Sequence, residues 1–237
     1  MILVTSNEGT PGVPATVRPL TENAPALDAI EAGIRLIEAG PSVRTAGRGG
    51  WPNLLGEVEL DACVMNGSTP RTGAVGALKG FLHPVSIARE IMRRLPHELL
   101  VGEGAARFAQ EIGADTTENL IEDSRRVWRE WFGRALTPEQ KHAWPDIPLA
   151  ELCRHTIDPE TGRDTTVFLA QGQHGAIASA TSTSGWAWKY PGRLGDSPIA
   201  GAGSYADTRY AAACTGAGEM TIRRGTSRRP CGGGTCF

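Results

Sequence analysis

Residues 165–183 read TTVFLAQGQHGAIASATST, and this stretch predicts a β-hairpin. Two β-prone runs, 165–171 and 176–183, flank the turn-forming residues 172–175. If Gln171 pairs with Ala176 across the turn, the residue at position 165 faces position 182, within one residue of Thr183. The hairpin therefore predicts that two threonines, Thr165 and Thr183, lie side by side at the open end of the ladder. Cross-strand threonine pairs are also common in sheets without any catalytic role, so the pair alone does not define a function.

Three further strands are predicted from composition and alternation. Residues 2–5 indicate a short buried strand, and residues 209–214 indicate another short strand. In residues 57–65 apolar and polar side chains alternate, which predicts a strand with one buried face.

Helices are predicted where apolar residues recur every three or four positions. One such series gives a helix that ends at Gly40-Pro41, and its apolar residues are Leu27, Ile30, Ile34 and Ile37. Further helices are expected after Pro84 and over residues 103–112 and 118–132. Residues 133–164 carry several prolines and no sustained period, so they are predicted to form a long exposed connection.

Composition excludes several classes of protein. The 237 residues carry a net charge of −2, so no basic surplus points to nucleic acid or to an anionic membrane. No apolar run is long enough to span a membrane, and no signal peptide is expected from the first residues. The five cysteines contain no CxxC pair, which favours a reduced, cytoplasmic setting. The histidines show no metal-ligand spacing, and no metal or cofactor is expected.

The second half of the chain carries five short motifs in a fixed order. They are the Asp164-Thr165 junction, TSTSG at 181–185, GRLGDSP at 192–198, GAGSYA at 201–206 and TGAGE at 215–219. With GGWPNLLGEVELDACVMNG at 49–67 and LLVGEGAARFA at 99–109, these residues resemble the glycosylasparaginase and plant-type asparaginase family of N-terminal-nucleophile hydrolases.

The resemblance implies that the chain is a precursor that cleaves itself between Asp164 and Thr165. Thr165 then corresponds to the nucleophile, and Thr183 to the threonine that hydrogen-bonds it. The new α-amino group would serve as the base, because its unperturbed pKa of about 7.7–8.0 leaves much of it neutral at working pH.

The resemblance also implies how substrate is recognised. Arg193 corresponds to the residue that pairs with the substrate α-carboxylate, and Asp196 to the acceptor for the α-ammonium group. Thr215 and Gly216 correspond to the donors that stabilise the oxyanion. The implied activity is hydrolysis of β-aspartyl amide bonds, in N4-(β-N-acetylglucosaminyl)-L-asparagine or in asparagine. Alternatives are an isoaspartyl dipeptidase or asparaginase, or an inactive, uncut homologue.

The implied fold is α+β, a four-layer αββα sandwich in one structural domain. Residues 1–164 would form the α-subunit portion, with 133–164 as its exposed linker, and residues 165–237 the β-subunit portion. The family assembles as (αβ)₂, which is therefore the expected assembly. The resemblance stops near residue 225, and the Arg-, Gly- and Cys-rich tail 226–237 is what a shifted reading frame would look like. The C-terminal part of the fold is thus expected to be truncated.

Overall fold

The computed structural model describes residues 1–156 and 165–228. A six-stranded sheet has the order β1-β5-β6-β2-β3-β4, and a two-stranded sheet consists of β7 and β8. The strands are β1 Ile2–Thr5, β2 Leu60–Asn66, β3 Arg71–Leu78, β4 Leu99–Val101, β5 Thr166–Gln171, β6 Ile177–Thr183, β7 Ser204–Ala206 and β8 Ala211–Ala213. All neighbouring strands of the large sheet are antiparallel except β3 and β4.

Eight α-helices lie in the described ranges. They are α1 Val13–Thr21, α2 Ala26–Ala39, α3 Pro84–Arg94, α4 Gly102–Glu111, α5 Glu122–Ala135, α6 Pro138–His142, α7 Leu149–Thr156 and α8 Gly218–Arg224. None of the helices within these ranges is long and apolar enough to cross a bilayer.

One face of the large sheet packs against α2 and α3. The predicted apolar series of α2 is confirmed, since Leu27, Ile30, Ile34 and Ile37 are all buried in the main core. The helix ends at Ala39 with Gly40 as its C-cap, in agreement with the predicted stop, and α3 begins at Pro84, whose ring suits the first helical position. Burial of each such aliphatic side chain contributes about 1.5–3 kcal/mol.

The other face of the large sheet is covered by β7 and β8. Along β6, Ala178 and Ala180 lie in the helix-side core, whereas Ile177 packs with Met65 and Ala206 of the second sheet. Strand β6 is therefore buried on both faces. The α+β class is confirmed, with helices, a large sheet and a second sheet in successive layers. Within the described residues the second sheet has two short strands.

Three strand or helix predictions need correction. Strand β1 lies at the sheet edge and is not buried, with Ile2 57% and Val4 54% exposed. Strand β2 begins at Leu60 and is buried on both faces, because α3 packs against one face and the second sheet against the other. Helix α5 begins at Glu122 rather than residue 118.

The connection predicted over 133–164 is largely exposed in its described part, as expected, but it contains helices. Helix α5 continues to Ala135, and α6 and α7 follow it. Helix α6 begins with a reciprocal capping box between Thr137 and Gln140 and has Pro138 at its first position. Such a helix is defined by its cap rather than by a long apolar period, so periodicity alone misses it. Residues 157–164 lie outside the described part of the chain.

Candidate active site

The hairpin that opens the β-subunit portion has the predicted topology with a register shifted by one residue. Gln171 pairs with Ile177, and Thr166 pairs with Ser182. One step beyond that pair lie Thr165 and Thr183, so the shifted register brings the two threonines opposite each other. Both are nearly fully buried. Ala176 belongs to the loop, where its carbonyl accepts a hydrogen bond from the Gly172 amide.

Both threonines line one small cavity at this end of the sheet. The cavity is lined by five of the seven predicted site residues: Thr165, Thr183, Arg193, Asp196 and Gly216. Its volume is about 10 Å³, which is room for about one water molecule. A larger cavity of about 380 Å³ beside Glu57 and Lys79 contains none of the predicted residues.

The backbone of Thr165 is held by the segment that follows β1. The Ser6 hydroxyl donates to the Thr165 carbonyl oxygen at 2.7 Å, and the Val167 amide donates to the Ser6 hydroxyl at 3.2 Å. The Thr5 hydroxyl donates to the Val167 carbonyl at 2.7 Å. These contacts fix the first residues of β5 although the preceding residues 157–164, including Asp164, lie outside the described ranges.

The Thr183 hydroxyl is oriented by two backbone groups. It donates to the Thr45 carbonyl at 3.1 Å and accepts from the Gly185 amide at 3.0 Å. A hydroxyl has two acceptor lone pairs, so one lone pair is left after these two bonds. The orientation suits Thr183 as an acceptor towards a neighbouring hydroxyl.

The guanidinium of Arg193 is held at one edge by Glu219 and on one face by Trp186. Its Nε and Nη2 donate to a single oxygen, Oε1 of Glu219, at 3.0 and 2.7 Å. The guanidinium carbon lies 4.4 Å from the ring centroid of Trp186, a cation–π distance. The remaining nitrogen, Nη1, faces Gly185 and Gly195, where an added Cβ would lie 3.3 and 3.0 Å from it. A side chain at either glycine would crowd this edge of the guanidinium.

Asp196 is a buried acid with a raised pKa. Burial raises the pKa of its carboxyl above the ordinary value, and the polar side chain of the neighbouring Thr221 opposes part of the rise. Its Oδ2 is buried and has no hydrogen-bond partner among the described residues. Buried acceptors are normally paired, so this oxygen suits a donor supplied by a ligand.

The two predicted oxyanion donors differ in position. Gly216 lines the cavity with a φ of +104°, a backbone conformation that favours glycine, and its carbonyl accepts from the Trp186 indole at 3.3 Å. Thr215 is exposed and does not line the cavity. The structure therefore brings together the two threonines predicted as the nucleophile pair, the two residues predicted to bind substrate, and Gly216, but not Thr215.

The sequence analysis did not single out Glu219, nor three buried residues near the Arg193 segment, which are Glu59, Asp61 and Lys189. Glu219 is the last residue of the TGAGE motif, so its charge was visible, but nothing in the spacing predicted contact with an arginine 26 residues away. Within the described ranges, no group of three or more His, Cys, Asp or Glu side chains is arranged to hold a metal ion.

Comparison with known proteins places the chain in a family. The sequence profile of the asparaginase family matches residues 11–231. The N(4)-(β-N-acetylglucosaminyl)-L-asparaginase of Elizabethkingia miricola is 38% identical over 205 residues, which cover 86% of this chain and 55% of that protein. The plant-type L-asparaginase of Pyrococcus abyssi is 39% identical over 199 residues, which cover 84% of this chain and 63% of that protein. The isoaspartyl peptidase of Salmonella typhimurium is 39% identical over 199 residues, which cover 84% of this chain and 61% of that protein.

The chain belongs to the asparaginase family. This confirms the resemblance drawn from the ordered motifs. The chain spans between 55% and 63% of the length of these three relatives.

Proposed function

We propose that the protein is an amidohydrolase that cuts itself before Thr165 and then hydrolyses β-aspartyl amide bonds. The observation that carries this proposal is the shared cavity of Thr165, Thr183, Arg193 and Asp196. A pair of threonines alone does not define a function, but this pair shares its cavity with a cation and a buried acid, the two kinds of charge that would bind the α-carboxylate and α-ammonium of an amino acid.

Activation requires one backbone cleavage. The Thr165 hydroxyl attacks the carbonyl carbon of residue 164, and an N-to-O acyl shift converts the peptide bond into an ester. Water hydrolyses the ester, which releases the carboxylate of residue 164 and the free α-amino group of Thr165. A threonine hydroxyl is a weak nucleophile, and the new amine is the base that it lacks.

Turnover then proceeds through a covalent intermediate. The Thr165 amine accepts the hydroxyl proton while Oγ1 attacks the β-carbonyl carbon of the substrate. The amine leaving group departs with a proton, and water hydrolyses the β-aspartyl ester to release aspartate. Arg193 would bind the α-carboxylate through a planar group that matches it, and Asp196 would accept from the α-ammonium.

The developing oxyanion needs donors near the cavity wall. We assign this role to the Thr215–Gly216 segment, of which Gly216 lines the cavity. Loss of one such donor typically costs on the order of 10²–10³ in rate. We further propose that the processed chain assembles as (αβ)₂, which light scattering coupled to gel filtration would test.

The substrate class is tested by three assays on the purified chain. N-acetylglucosaminyl-asparagine, L-asparagine and an isoaspartyl dipeptide present the same aspartyl end with different leaving groups. Hydrolysis of any of them by the wild-type chain, and of none by Thr165→Ala, is the expected result. The preferred leaving group separates the glycosylasparaginase from the asparaginase and isoaspartyl dipeptidase alternatives, since relatives with each of these names match the chain.

An uncut, inactive homologue is a second candidate. It is favoured by the small size of the cavity among the described residues, which has room for about one water molecule. A single band near 25.1 kDa on a denaturing gel, with no hydrolysis of the three substrates, would support it.

A further inference from the structure

Behind the segment that carries Arg193 lie three buried ionisable side chains that the proposed reaction does not use. Glu59 is 4% exposed, and Asp61 and Lys189 are fully buried. None of the three lines the cavity. Burying charges costs free energy unless they are paired and hydrogen-bonded, so a cluster of this kind calls for a physical account.

The two carboxylates hold the backbone on both sides of Arg193. The Gly192 amide donates to both oxygens of Glu59, at 2.9 and 3.2 Å. The Gly195 amide donates to Oδ2 of Asp61 at 3.2 Å. The other oxygen of Asp61 accepts from the Ala77 amide at 2.9 Å, which ties the carboxylate to β3. The four-residue segment 192–195 is thus fixed at one end to the residue that precedes β2 and at the other end to β2 itself.

Lys189 supplies the cation of the cluster. Its Nζ donates to the Glu59 carbonyl oxygen at 3.0 Å and lies 4.0 Å from Oε2 of the same residue. Burial lowers the pKa of the Lys189 ammonium, and the negative charges of Asp61 and Glu59 oppose that fall. Removal of Lys189 would leave two buried carboxylates without this counter-charge.

We propose that Lys189, by neutralising Glu59 and Asp61, positions Arg193 for the α-carboxylate of the substrate. This inference rests on the proposed function, because it assumes that Arg193 reads that carboxylate. The three residues are positioning residues, since they act through the backbone of segment 192–195. Contact between Lys189 and substrate is not required.

A purely structural role and a positioning role predict different kinetics. If the cluster only stabilises the fold, its loss affects all substrates alike. If the cluster positions Arg193, its loss affects a substrate with a free α-carboxylate and spares one whose α-carboxylate is replaced by a carboxamide. The readout is therefore the ratio of kcat/KM for a β-aspartyl amide substrate to that for its α-carboxamide analogue.

The main variant is Lys189→Met, which keeps the length of the side chain and removes the charge. We expect KM for the free-carboxylate substrate to rise about 3- to 30-fold, with kcat changed about twofold or less, because coupling through packed networks has that size. The carboxamide analogue should show a change in kcat/KM of about twofold or less. Lys79→Met is the matched control, because Lys79 forms an exposed ion pair with Glu57 and should leave both substrates unaffected.

A second variant keeps the test decisive if Lys189→Met does not fold. Glu59→Gln retains an oxygen that can accept from the Gly192 amide but removes one buried negative charge. It should raise KM for the free-carboxylate substrate alone, by less than Lys189→Met does. The double variant Glu59→Gln/Lys189→Met should recover part of the loss, since it removes opposite charges together.

The possible outcomes are distinct. Equal losses on both substrates, or no loss on either, in an active protein overturn the positioning role and leave the proposed function standing. A wild-type chain that hydrolyses neither substrate overturns the proposed function and the positioning role together.

Discussion

The guanidinium of Arg193 donates two hydrogen bonds to one oxygen of Glu219, from Nε at 3.0 Å and from Nη2 at 2.7 Å. This contact leaves the Nη1 edge directed at Gly185 and Gly195. A substrate carboxylate that approaches Arg193 must therefore bind at that edge or displace Glu219. In either case Glu219 controls how the guanidinium presents its donors.

Glu219→Gln is expected to weaken substrate binding. The glutamine oxygen can still accept from Nε and Nη2, but without the negative charge these hydrogen bonds weaken and the guanidinium is less constrained. We expect KM to rise about 3- to 10-fold with kcat nearly unchanged. The rise is modest because the ion pair is partly exposed and water screens it. Steady-state kinetics on the processed protein measures the effect. Glu111→Gln, which disrupts an exposed helical pair with Arg107, is the control and should have no effect. Unchanged KM in Glu219→Gln would show that this contact plays no part in recognition.

Thr183→Val should reduce turnover far more than Thr183→Ser. Valine removes the hydroxyl and leaves the Gly185 amide without its acceptor, whereas serine retains both hydrogen bonds. We expect turnover to fall on the order of 100-fold for valine. The free energy of unfolding should fall by about 1–3 kcal/mol. Turnover and chemical denaturation of the two variants test this, and wild-type turnover in Thr183→Val would exclude a role for the hydroxyl.

Asp196→Asn is expected to stabilise the fold at neutral pH while it impairs substrate binding. Because burial raises the pKa of Asp196 in the folded state, the folded chain binds this proton more tightly than the unfolded chain. That stabilisation is fully present below the ordinary aspartate pKa of about 3.9 and is lost as pH rises through the raised value. At pH 7 the ionised, buried carboxylate is therefore a cost that asparagine removes.

Thermal unfolding of Asp196→Asn between pH 3.5 and 8 measures the difference. The gain in Tm over wild type should grow with pH and vanish at the acidic end. Asp207→Asn is the control, and its Tm should fall below that of wild type as pH rises. The sign is opposite because backbone amide hydrogen bonds, chiefly from Arg209, lower the pKa of Asp207. A gain in Tm that is the same at all pH values would contradict the assignment of the shift to Asp196.

The sequence predicted the parts of the fold that depend on local periodicity. Helix α2 was predicted from its apolar spacing, and the hairpin of β5 and β6 from two β-prone runs around a turn. The burial of β2 on both faces was not predictable, since it depends on α3 and the second sheet, which come from other parts of the chain. The exposed position of β1 at the sheet edge was not predictable either, because it depends on pairing with β5, which comes from a distant part of the chain. Helix α6 was missed because its signal is a cap of four residues.

The candidate site was predictable to the extent that it lies in linear motifs. Thr183 was placed opposite Thr165 within one residue by hairpin geometry, and the loop at Ala176 accounts for the one-residue shift. The partners of Arg193 were not predictable. Glu219, Glu59 and Asp61 reach segment 192–195 from separate elements, and their contacts depend on the closure of the fold.

The central claim is the cleavage before Thr165, and N-terminal sequencing of the purified chain tests it most directly. We predict two fragments, of which the smaller begins Thr-Thr-Val-Phe, and a single uncut chain for Thr165→Ala. Hydrolysis of a β-aspartyl amide by a folded protein whose 164–165 peptide bond is intact would contradict the mechanism.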